Sequence, residues 1–457
     1  MGITDQLTKY VLSTRYENLP GQVVTEAKKG FLDFLGVAIV GSREPSTRIL
    51  LNASGALTTR GEATILGTRV RTLPAVAALV NGHAAHALDY DDTQPGRTTH
   101  ISAPVLAATL AVAENARFSG KKVLSAYIAG FEIGCRLGRS ARFGHHLIRN
   151  GIHPIGILGH VGAVAAVGHI VGLAPLQMNY GFALAASQAA GLVRSFGTMC
   201  KPLQVAKAAH DAVFSAELAR RGFSAAEGIF EGEHNLFSIY GGKTDPKKLT
   251  LGLGQNFEIM ENTIKVFACA GWRNSIVEAS ILLSRNHNLK AQEVKEVVIW
   301  APERLLKLPN YEEPRTGLEG KFSSQHAAAV GLVDHGGGIE QFSDARVADP
   351  GLAKLRRRIR MKVDASLGNY QIRMEVKMVD GRKLSHFVPA RKGTPRNPLT
   401  WEELVEKFRA NARLVLPEKQ VNAVLRMVQD LEKLKDIRGL MRPSKTNIKG
   451  KERIFGR

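Results

Sequence analysis

A cluster of histidines and carboxylates between residues 83 and 100 is the part of this sequence best suited to chemistry. It reads His-Ala-Ala-His-Ala-Leu-Asp-Tyr-Asp-Asp-Thr over residues 83–93, and His100 follows. Three carboxylates within four residues repel one another unless cations or hydrogen-bond donors hold them. We therefore expect these carboxylates to be solvated, paired with cations or held for chemistry, and the rest of the chain can supply cations.

Two other interpretations of this cluster are open. His83, His86 and Asp89 recur every third residue, so on a helix they would share one face and could ligate a metal. Histidines at such spacing in an alanine-rich helix are also commonly packed and hydrogen-bonded. Asp89, Asp91 and Thr93 match the nucleophile motif of haloacid-dehalogenase-type phosphatases, but that motif ends a buried strand, whereas the residues before Asp89 favour a helix.

Two basic residues, His153 and Lys201, each precede a proline. Because the missing N–H of proline costs nothing at the first position of a helix, each proline predicts a helix start. A cation at a helix N-terminus has its pKa lowered by the macrodipole, and nearby carboxylates raise it again. Either residue alone could be an ordinary loop residue. Together with the aspartate cluster they suit proton transfer near neutral pH.

The apolar periodicity predicts a mainly α fold with an inserted α+β domain. Helices are expected over 75–88, 102–117, 121–140, 154–172, 176–193, 202–222 and 224–230. Strand-like runs follow over 293–300, 359–363, 370–379 and 383–388, between helices over 275–286 and 322–334. Asp380-Gly381 between two alternating runs predicts a hairpin turn.

This order of elements predicts a large helical domain that carries a smaller lid domain. We expect the helical domain over 1–268 and 399–441, the α+β lid over 269–398 and a basic tail over 442–457. Thr400, three residues before Glu403, predicts the capping box of the returning helix.

The composition is strongly basic. The chain has 62 lysines and arginines against 41 acidic residues, a formal net charge of +21. Such a field attracts anionic substrates. The densest basic runs, 354–362 and 442–457, lack the interleaved aromatic residues that single-strand nucleic-acid binders use for stacking. We therefore expect a small anionic partner and not a nucleic acid.

Cysteine usage and the N-terminal sequence bear on location. Cys135, Cys200 and Cys269 are scattered, which argues against a disulfide framework and fits a reducing compartment. The first residues lack the basic and apolar regions of a signal peptide, and no long uncharged apolar run predicts a membrane span. These features predict a cytoplasmic protein.

Five stretches spread over nearly the whole chain together resemble the MmgE/PrpD family. They lie at 81–93, 151–156, 196–203, 265–269 and 321–326. The family includes 2-methylcitrate dehydratase, cis-aconitate decarboxylase and iminodisuccinate epimerase. The resemblance implies a helical domain with an α+β lid, a homodimer, no metal or other cofactor, and a site between the two domains.

The resemblance also implies roles for particular side chains. Those implied to be catalytic are Lys201, Asp89, His100 and His153, and those implied to bind the substrate are Thr93, Asn274 and His326. The stretch 269–278 would reach the site from the lid. The cations among these residues would hold carboxylates and stabilise negative charge on the adjacent carbon.

Three departures from the family pattern matter for the reaction. Dehydratase- and decarboxylase-type members have a histidine where this chain has Asn274, which can orient a carboxylate but carries no proton. The decarboxylase type has a tyrosine at the position of His326, and one extra residue separates Thr93 from His100. Either another residue, such as His326, takes over proton transfer, or the reaction differs from the best-known ones.

The sequence therefore predicts a metal-independent lyase that acts on a small di- or tricarboxylic acid by abstracting a proton next to a carboxylate. A dehydratase is favoured, and a carboxy-lyase is included. An epimerase of a dicarboxylate remains open, as does a carboxylate-binding protein without catalysis.

Overall fold

The computed structural model describes residues 1–94, 99–243 and 245–445. Its first part is built from packed helices, with a short antiparallel pair of strands, β1 (Ala63–Thr64) and β2 (Arg71–Thr72). The long helices are α1 (Ile3–Ser13), α2 (Gly21–Gly41), α3 (Pro45–Ala53), α4 (Pro74–Ala87), α5 (Ser102–Ala116), α6 (Gly120–Arg139), α7 (Phe143–Arg149), α8 (Ile155–Val171), α9 (Pro175–Gln188) and α10 (Cys200–Arg220). Two short helices follow, α11 (Leu236–Ile239) and α12 (Pro246–Thr250).

Glycines let the central helices α6 and α8 approach closely. A Cβ added to Gly130 would lie 2.5 Å from the Gly162 carbonyl oxygen, and one added to Gly162 would lie 2.9 Å from the Gly130 carbonyl oxygen. Each helical glycine costs about 1 kcal/mol of propensity relative to alanine, and the backbone contact offsets that cost. These glycines therefore serve helix packing.

The second part of the chain combines a mixed sheet with helices. The sheet has the order β4-β3-β5-β6, with β4 parallel to β3 and the other neighbours antiparallel. Its strands are β3 (Val294–Ala301), β4 (Ile359–Val363), β5 (Ile372–Met378) and β6 (Lys383–Val388). Gly381, at φ 91°, makes the turn that Asp380-Gly381 predicted. The helices are α13 (Arg273–His287), α14 (Glu303–Leu306), α15 (Gly317–Gly320), α16 (Ser324–Asp334), α17 (Asp344–Val347) and α18 (Pro350–Arg356).

The chain then returns to helices α19 (Trp401–Ala412), α20 (Glu418–Gln429) and α21 (Arg438–Met441). The capping box at α19 is present, because the Thr400 side chain accepts from the Glu403 N–H and the Glu403 carboxylate accepts from the Thr400 N–H. A mainly α fold with an α+β part in its C-terminal region is therefore confirmed.

Buried apolar side chains form two main clusters. One contains side chains from 3–264 together with 399–441. The other contains side chains from 268–388 and a few from α2 and the segment after α4. Because the first cluster combines the two ends of the chain, we continue to propose domain boundaries near 268 and 398, with the intervening part as a lid.

Some local predictions differ from the structure. The helix predicted over 224–230 is wrong, since these residues form turns and irregular segments. Pro154 caps α8 from outside, and Pro202 is the third residue of α10 and not its first. Both positions tolerate proline because the N–H groups of the first turn have no partner within the helix.

The basic run 354–362 is mostly exposed. Its basic side chains Lys354, Arg357, Arg358, Arg360 and Lys362 are exposed, and only Arg356 is buried. Arg357 pairs with Glu313 at 3.1 Å, and Arg358 donates to the Val294 carbonyl oxygen at 2.7 Å. Of the predicted basic tail, residues 446–457 lie outside the described residues.

Among the helices that the structure describes, none combines the length and the apolar character that crossing a membrane requires.

Candidate active site

A cavity of about 110 Å³ lies between the helical part and the α+β part. Its helical side is lined by Asp89, Thr93, His100, Ile148, His153, Pro154, Phe196 and Lys201. Its other side is lined by Ala270, Gly271, Trp272, Arg273, Leu308, Pro309, Phe322, Tyr370 and Arg391. Most of the side chains implied by the family resemblance therefore meet at one cavity, to which the stretch 269–278 also contributes.

Asp89 lies directly after Leu88, the residue that caps the C-terminal end of α4. Its backbone is left-handed, at φ 49°, a conformation that aspartate tolerates better than most residues. One carboxylate oxygen, Oδ1, accepts from Lys265 Nζ at 2.5 Å and lies 3.3 Å from Lys201 Nζ. Burial opposes ionisation, but the two ammonium groups hold the pKa of Asp89 well below its ordinary value. Asp89 is therefore a carboxylate in the cavity wall.

Lys265 was missed as a site residue. Its buried Nζ also donates to the Asp89 carbonyl oxygen at 2.7 Å and lies 3.8 Å from Asp91 Oδ1. Burial alone would lower the pKa of Lys265, but these carboxylates raise it above its ordinary value. The one cue in the sequence was its place in the family stretch 265–269.

Lys201 is joined to a histidine and a second carboxylate. Its Nζ lies 2.6 Å from His86 Nε2, and His86 Nδ1 lies 2.8 Å from Asp91 Oδ2. Because an ionised Asp91 can only accept, we assign the ring proton to Nδ1, which leaves Nε2 to accept from Lys201. Burial lowers the pKa of His86 to about 4, so the ring is neutral at pH 7. Its orientation fixes that of Lys201.

Aromatic rings surround the Lys201 ammonium. Nζ lies 5.4 Å from the centre of the Phe196 ring and 5.5 Å from that of Phe322. Burial lowers the pKa of Lys201 from its ordinary value, and Asp89 opposes that decrease. A lysine in this environment gives up its proton more readily than one in water.

His100 and His153 line the cavity with one nitrogen of each ring already engaged. His100 Nδ1 donates to the Asp92 carbonyl oxygen at 3.0 Å, and His153 Nδ1 lies 2.6 Å from Gln204 Oε1. The Gln204 amide donates from its own nitrogen to the Leu192 carbonyl oxygen, so Oε1 is the atom that faces His153. Burial lowers the pKa of both imidazoles. Each neutral ring therefore keeps Nε2 as a proton acceptor.

Arg273 and Arg391 were not singled out from the sequence. Arg273 Nη2 donates to the Pro309 carbonyl oxygen at 2.6 Å, and Arg391 donates to the Gly271 carbonyl oxygen. Arg273 Nε and Arg391 Nη2 are buried and have no hydrogen-bond partner among the described residues. A buried donor without a partner costs about 1–3 kcal/mol, which a bound anion would recover.

The backbone that follows Asp89 is held in place by a buried lysine. Lys407 of α19 donates to Asp33 Oδ1 of α2 at 2.5 Å, to the Tyr90 carbonyl oxygen at 2.9 Å and to the Lys265 carbonyl oxygen at 2.7 Å. Its Nζ also lies 3.9 Å from the centre of the Tyr90 ring. Lys407 therefore holds the backbone that carries Asp89 and Lys265.

Asn274 does not line the cavity. Its Oδ1 accepts from the N–H groups of Val266 and Phe267 at 3.1 and 3.0 Å, and its Nδ2 donates to the Cys269 carbonyl oxygen at 3.3 Å. The side chain folds back on the loop that leads into α13 instead of reaching the substrate space. We therefore correct its expected role from substrate binding to shaping the loop that carries Lys265.

His326 also lies away from the cavity lining. Its Nε2 hydrogen-bonds to the Gln341 carbonyl oxygen at 2.8 Å, and Arg356 Nη1 lies 3.3 Å from its Nδ1. Both ring nitrogens are thus engaged inside the α+β part. The expectation that His326 binds substrate or replaces the missing histidine finds no support in this position.

The metal and phosphatase interpretations of the 83–93 cluster do not fit the geometry. His83 turns away to hydrogen-bond Ser46 Oγ at 2.9 Å, and Asp89 lies beyond the end of α4, on no shared helix face. The residues before Asp89 are helical, whereas the phosphatase motif requires a strand.

Another set of potential metal ligands lies close together. Single ligand atoms from four residues lie within 4.8 Å of one another: those of His86, Asp89, Asp91 and His100. Lys201 and Lys265 direct their ammonium groups to Asp89 Oδ1, within this set. A divalent ion there would be repelled by both at short range. The set therefore fits a carboxylate cluster neutralised by lysines better than it fits a metal.

The chain is similar in sequence to proteins of one known family. The model of the MmgE/PrpD N-terminal domain matches residues 5–249, and that of the C-terminal domain matches residues 267–433. A cis-aconitate decarboxylase of Aspergillus terreus is 27% identical over 476 residues, covering 96% of this chain and 95% of that protein. The human cis-aconitate decarboxylase is 26% identical over 449 residues, covering 95% and 92%.

These relatives are lyases by name, and the similarity supports an enzyme of the lyase class. The two domain models together match most of the chain. The chain belongs to the MmgE/PrpD family.

Proposed function

We propose that this protein is a metal-independent lyase that acts on a small di- or tricarboxylic acid and moves a proton at the carbon next to a carboxylate. One observation carries the proposal. The described cavity lining contains a single carboxylate, already paired with lysines, and several basic side chains: His100, His153, Lys201, Arg273 and Arg391. The cavity volume, about 110 Å³, is below the ~300–1,000 Å³ of pockets for drug-sized ligands.

Arg273 and Arg391 would bind the carboxylates of the acid. Each has a buried guanidinium nitrogen without a partner among the described residues. Charge-assisted hydrogen bonds from guanidinium to carboxylate are about twice as strong as neutral ones. A substrate with two or more carboxylates would satisfy both arginines at once, which fixes its orientation.

Lys201 would move the proton. In a dehydration, a base removes the proton next to a carboxylate, the C–O bond breaks, and the hydroxyl leaves as water after protonation. In a decarboxylation, the C–C bond breaks, CO₂ leaves, and the remaining electron pair takes up a proton. Both reactions place negative charge on a carbon next to a carboxylate, where the Lys201 ammonium would stabilise it.

The relatives favour a carboxy-lyase over the dehydratase that we expected first. Those compared here are named cis-aconitate decarboxylases. We propose a cis-aconitate-like tricarboxylate as the first substrate to test. For a decarboxylation the Lys201 ammonium would donate the proton that the carbon takes up, whereas for a dehydration His100 or His153, with Nε2 as acceptor, would remove the proton.

An epimerase is the second candidate. The observation in its favour is that Asn274 is held by backbone hydrogen bonds, at the position where the family resemblance implies a histidine in dehydratase- and decarboxylase-type members. An epimerase needs only removal and return of one proton, and Lys201 with a histidine acceptor would suffice for both steps.

The test is a Lys201→Met variant, with Lys207→Met as the matched control. Lys207 lies on the same helix, but its side chain is half-exposed and pairs with Asp211 at 2.7 Å. We expect kcat of the Lys201 variant to fall about 10²–10⁴-fold, the usual contribution of a general acid or base. The control should keep wild-type turnover. A folded Lys201→Met protein that turns over substrate at the wild-type rate would refute the assignment.

A further inference from the structure

A second cavity adjoins the candidate active site. It has a volume of about 660 Å³ and shares Ile148, Leu308 and Tyr370 with the lining of the active cavity. Its remaining lining comes from α7, from the residues before that helix, from α14 and from Asn369. We call it the outer cavity. A small acid in the outer cavity would be separated from the active cavity only by those shared side chains.

The outer cavity is lined by basic side chains. They are Arg142, His145, His146, Arg149 and Arg304, and no aspartate or glutamate is among its described lining residues. A third cavity, of about 460 Å³, shares Tyr370 and Arg391 with the active cavity, but its lining includes Glu261. The outer cavity is therefore the more favourable of the two neighbouring spaces for an anion.

The guanidinium group of Arg304 resembles those of the arginines that line the active cavity. Its Nε and Nη2 atoms are buried and lack hydrogen-bond partners among the described residues, as do Arg273 Nε and Arg391 Nη2. Each such donor lowers the stability of the folded protein unless a ligand accepts its hydrogen bond. Arg273 and Arg391 line the active cavity, whereas Arg304 lines the outer one. A carboxylic acid that binds Arg273 and Arg391 would also bind Arg304.

Tyr370 contacts arginines of both cavities. The guanidinium carbon of Arg304 lies 4.6 Å from the centre of its ring, and that of Arg391 lies 5.7 Å from it. Its backbone is left-handed, at φ 65°, which is strained for a bulky residue and needs support from its surroundings. Ser275 Oγ donates to the Tyr370 carbonyl oxygen at 3.2 Å. Strain of this kind is common at ligand clamps and moving segments.

We propose that Arg304 forms an outer carboxylate subsite, where one carboxylate of the substrate binds before the acid passes Tyr370 to reach Arg391 and Arg273. The identity of the acid as a di- or tricarboxylate rests on the proposed function. The subsite itself rests on Arg304, the outer cavity and the two cation–π contacts of Tyr370. The acid would then bind Arg304 in the outer cavity first, and Arg391 and Arg273 in the active cavity afterwards.

The test follows the association of propane-1,2,3-tricarboxylate, a saturated probe, by stopped-flow tryptophan fluorescence, since Trp272 lines the active cavity. For Arg304→Gln we expect the association rate constant to fall about 10-fold at ~10 mM salt and to lose much of its salt dependence. The matched control is Arg396→Gln, which removes the same charge from the third cavity. It should associate like the wild type.

Two results overturn the subsite. One is an unchanged association rate constant in Arg304→Gln, and the other is no binding of the probe to the wild type at ~10 mM. These results can be distinguished from a failure of the proposed function. In that case Lys201→Met would retain turnover, while Arg304→Gln would still slow association of the probe.

Tyr370 is tested with a second pair of variants. Tyr370→Gly removes the ring and relieves the strained φ, so we expect association and dissociation both to accelerate, by about 3–10-fold. Tyr370→Phe keeps the ring and should change both rate constants less than Tyr370→Gly does. Unchanged rate constants in both directions for a folded Tyr370→Gly protein would remove Tyr370 from the route.

Discussion

Asp89, Lys201 and Lys265 show how single residues set the charge of the cavity. All three are buried; Lys201 and Lys265 lower the pKa of Asp89, and Asp89 favours the charged form of both lysines. Breaking a buried ion pair by removing one partner leaves an uncompensated charge, which is strongly destabilising. The cluster therefore keeps Asp89 ionised and holds Lys201 beside His86.

Asp92, three residues after Asp89, is in an environment with the opposite effect on its pKa. Its Oδ2 accepts from Ser102 Oγ and from Asn262 Nδ2, and its Oδ1 is buried without a partner among the described residues. Burial raises the pKa of Asp92 from 3.8 to about 7. The folded protein thus keeps a proton that the unfolded chain has released.

Asp92→Asn should therefore change how stability depends on pH. Because the folded pKa is raised, the wild type is progressively destabilised relative to the variant as pH rises from about 4 to about 7. We expect the difference in unfolding free energy to change by about 1–4 kcal/mol over that window. Urea unfolding of both proteins at several pH values measures it. A difference that stays constant between pH 4 and pH 8 would show that Asp92 is not buried as a neutral acid.

At the scale of elements, the strands were the best-predicted features. The bounds of β4 and β6 agree with the sequence prediction, because alternating patterning and the Asp380-Gly381 turn are local signals. The long helices agree to within a few residues. The largest difference is at the end of α9, which was expected at 193 and lies at Gln188.

The candidate site was only partly predictable. Asp89, His100 and Lys201 were found from motifs, because their residue types and neighbours resemble those of a known family. Arg391 and Lys265 were not, because only the fold brings them within reach of the others. Asn274 was expected at the cavity, and its backbone hydrogen bonds could not have been inferred from its position in a motif.

The glycine contact between α6 and α8 gives a prediction at the element scale. In Gly130→Ala the added Cβ would lie 2.5 Å from the Gly162 carbonyl oxygen and 2.7 Å from Ala166 Cβ. We expect a loss of about 1–3 kcal/mol of unfolding free energy, which exceeds the gain of about 1 kcal/mol in helix propensity. The control is Gly21→Ala, where nothing lies within 4 Å of the added atom. Equal denaturation midpoints for the two variants would contradict the close contact.

At the scale of the whole molecule, the basic residues behind the net charge of +21 lie in different environments. Part of it lies exposed on the α+β part, as in Arg357, which pairs with Glu313. Another part lines the active and outer cavities, where it would attract anions. A homodimer and a cytoplasmic location, both expected from the sequence, stay predictions.

The proposed lid is tested by limited proteolysis of the full chain. If 269–398 forms a domain that closes on the helical part, a bound acid should stabilise the closed form. We expect cleavage near 268 and 398 to slow about 3–10-fold when propane-1,2,3-tricarboxylate is present at saturation. The Arg273→Gln variant, which should bind the acid weakly, is the control. Release of the fragment at the same rate with and without the acid would argue against a lid.

The most direct measurement is proton NMR in D₂O, with EDTA present, on a panel of acids: cis-aconitate, citrate, 2-methylcitrate, iminodisuccinate and tartrate. Wild type and Lys201→Met are compared. The account predicts that one acid loses CO₂ or water, with deuterium entering the carbon next to a carboxylate, and that Lys201→Met abolishes this. Inversion with deuterium entry and no loss would select the epimerase. If no acid changes, although calorimetry shows that the wild type binds one of them, the protein is a carboxylate-binding protein and the central claim is wrong.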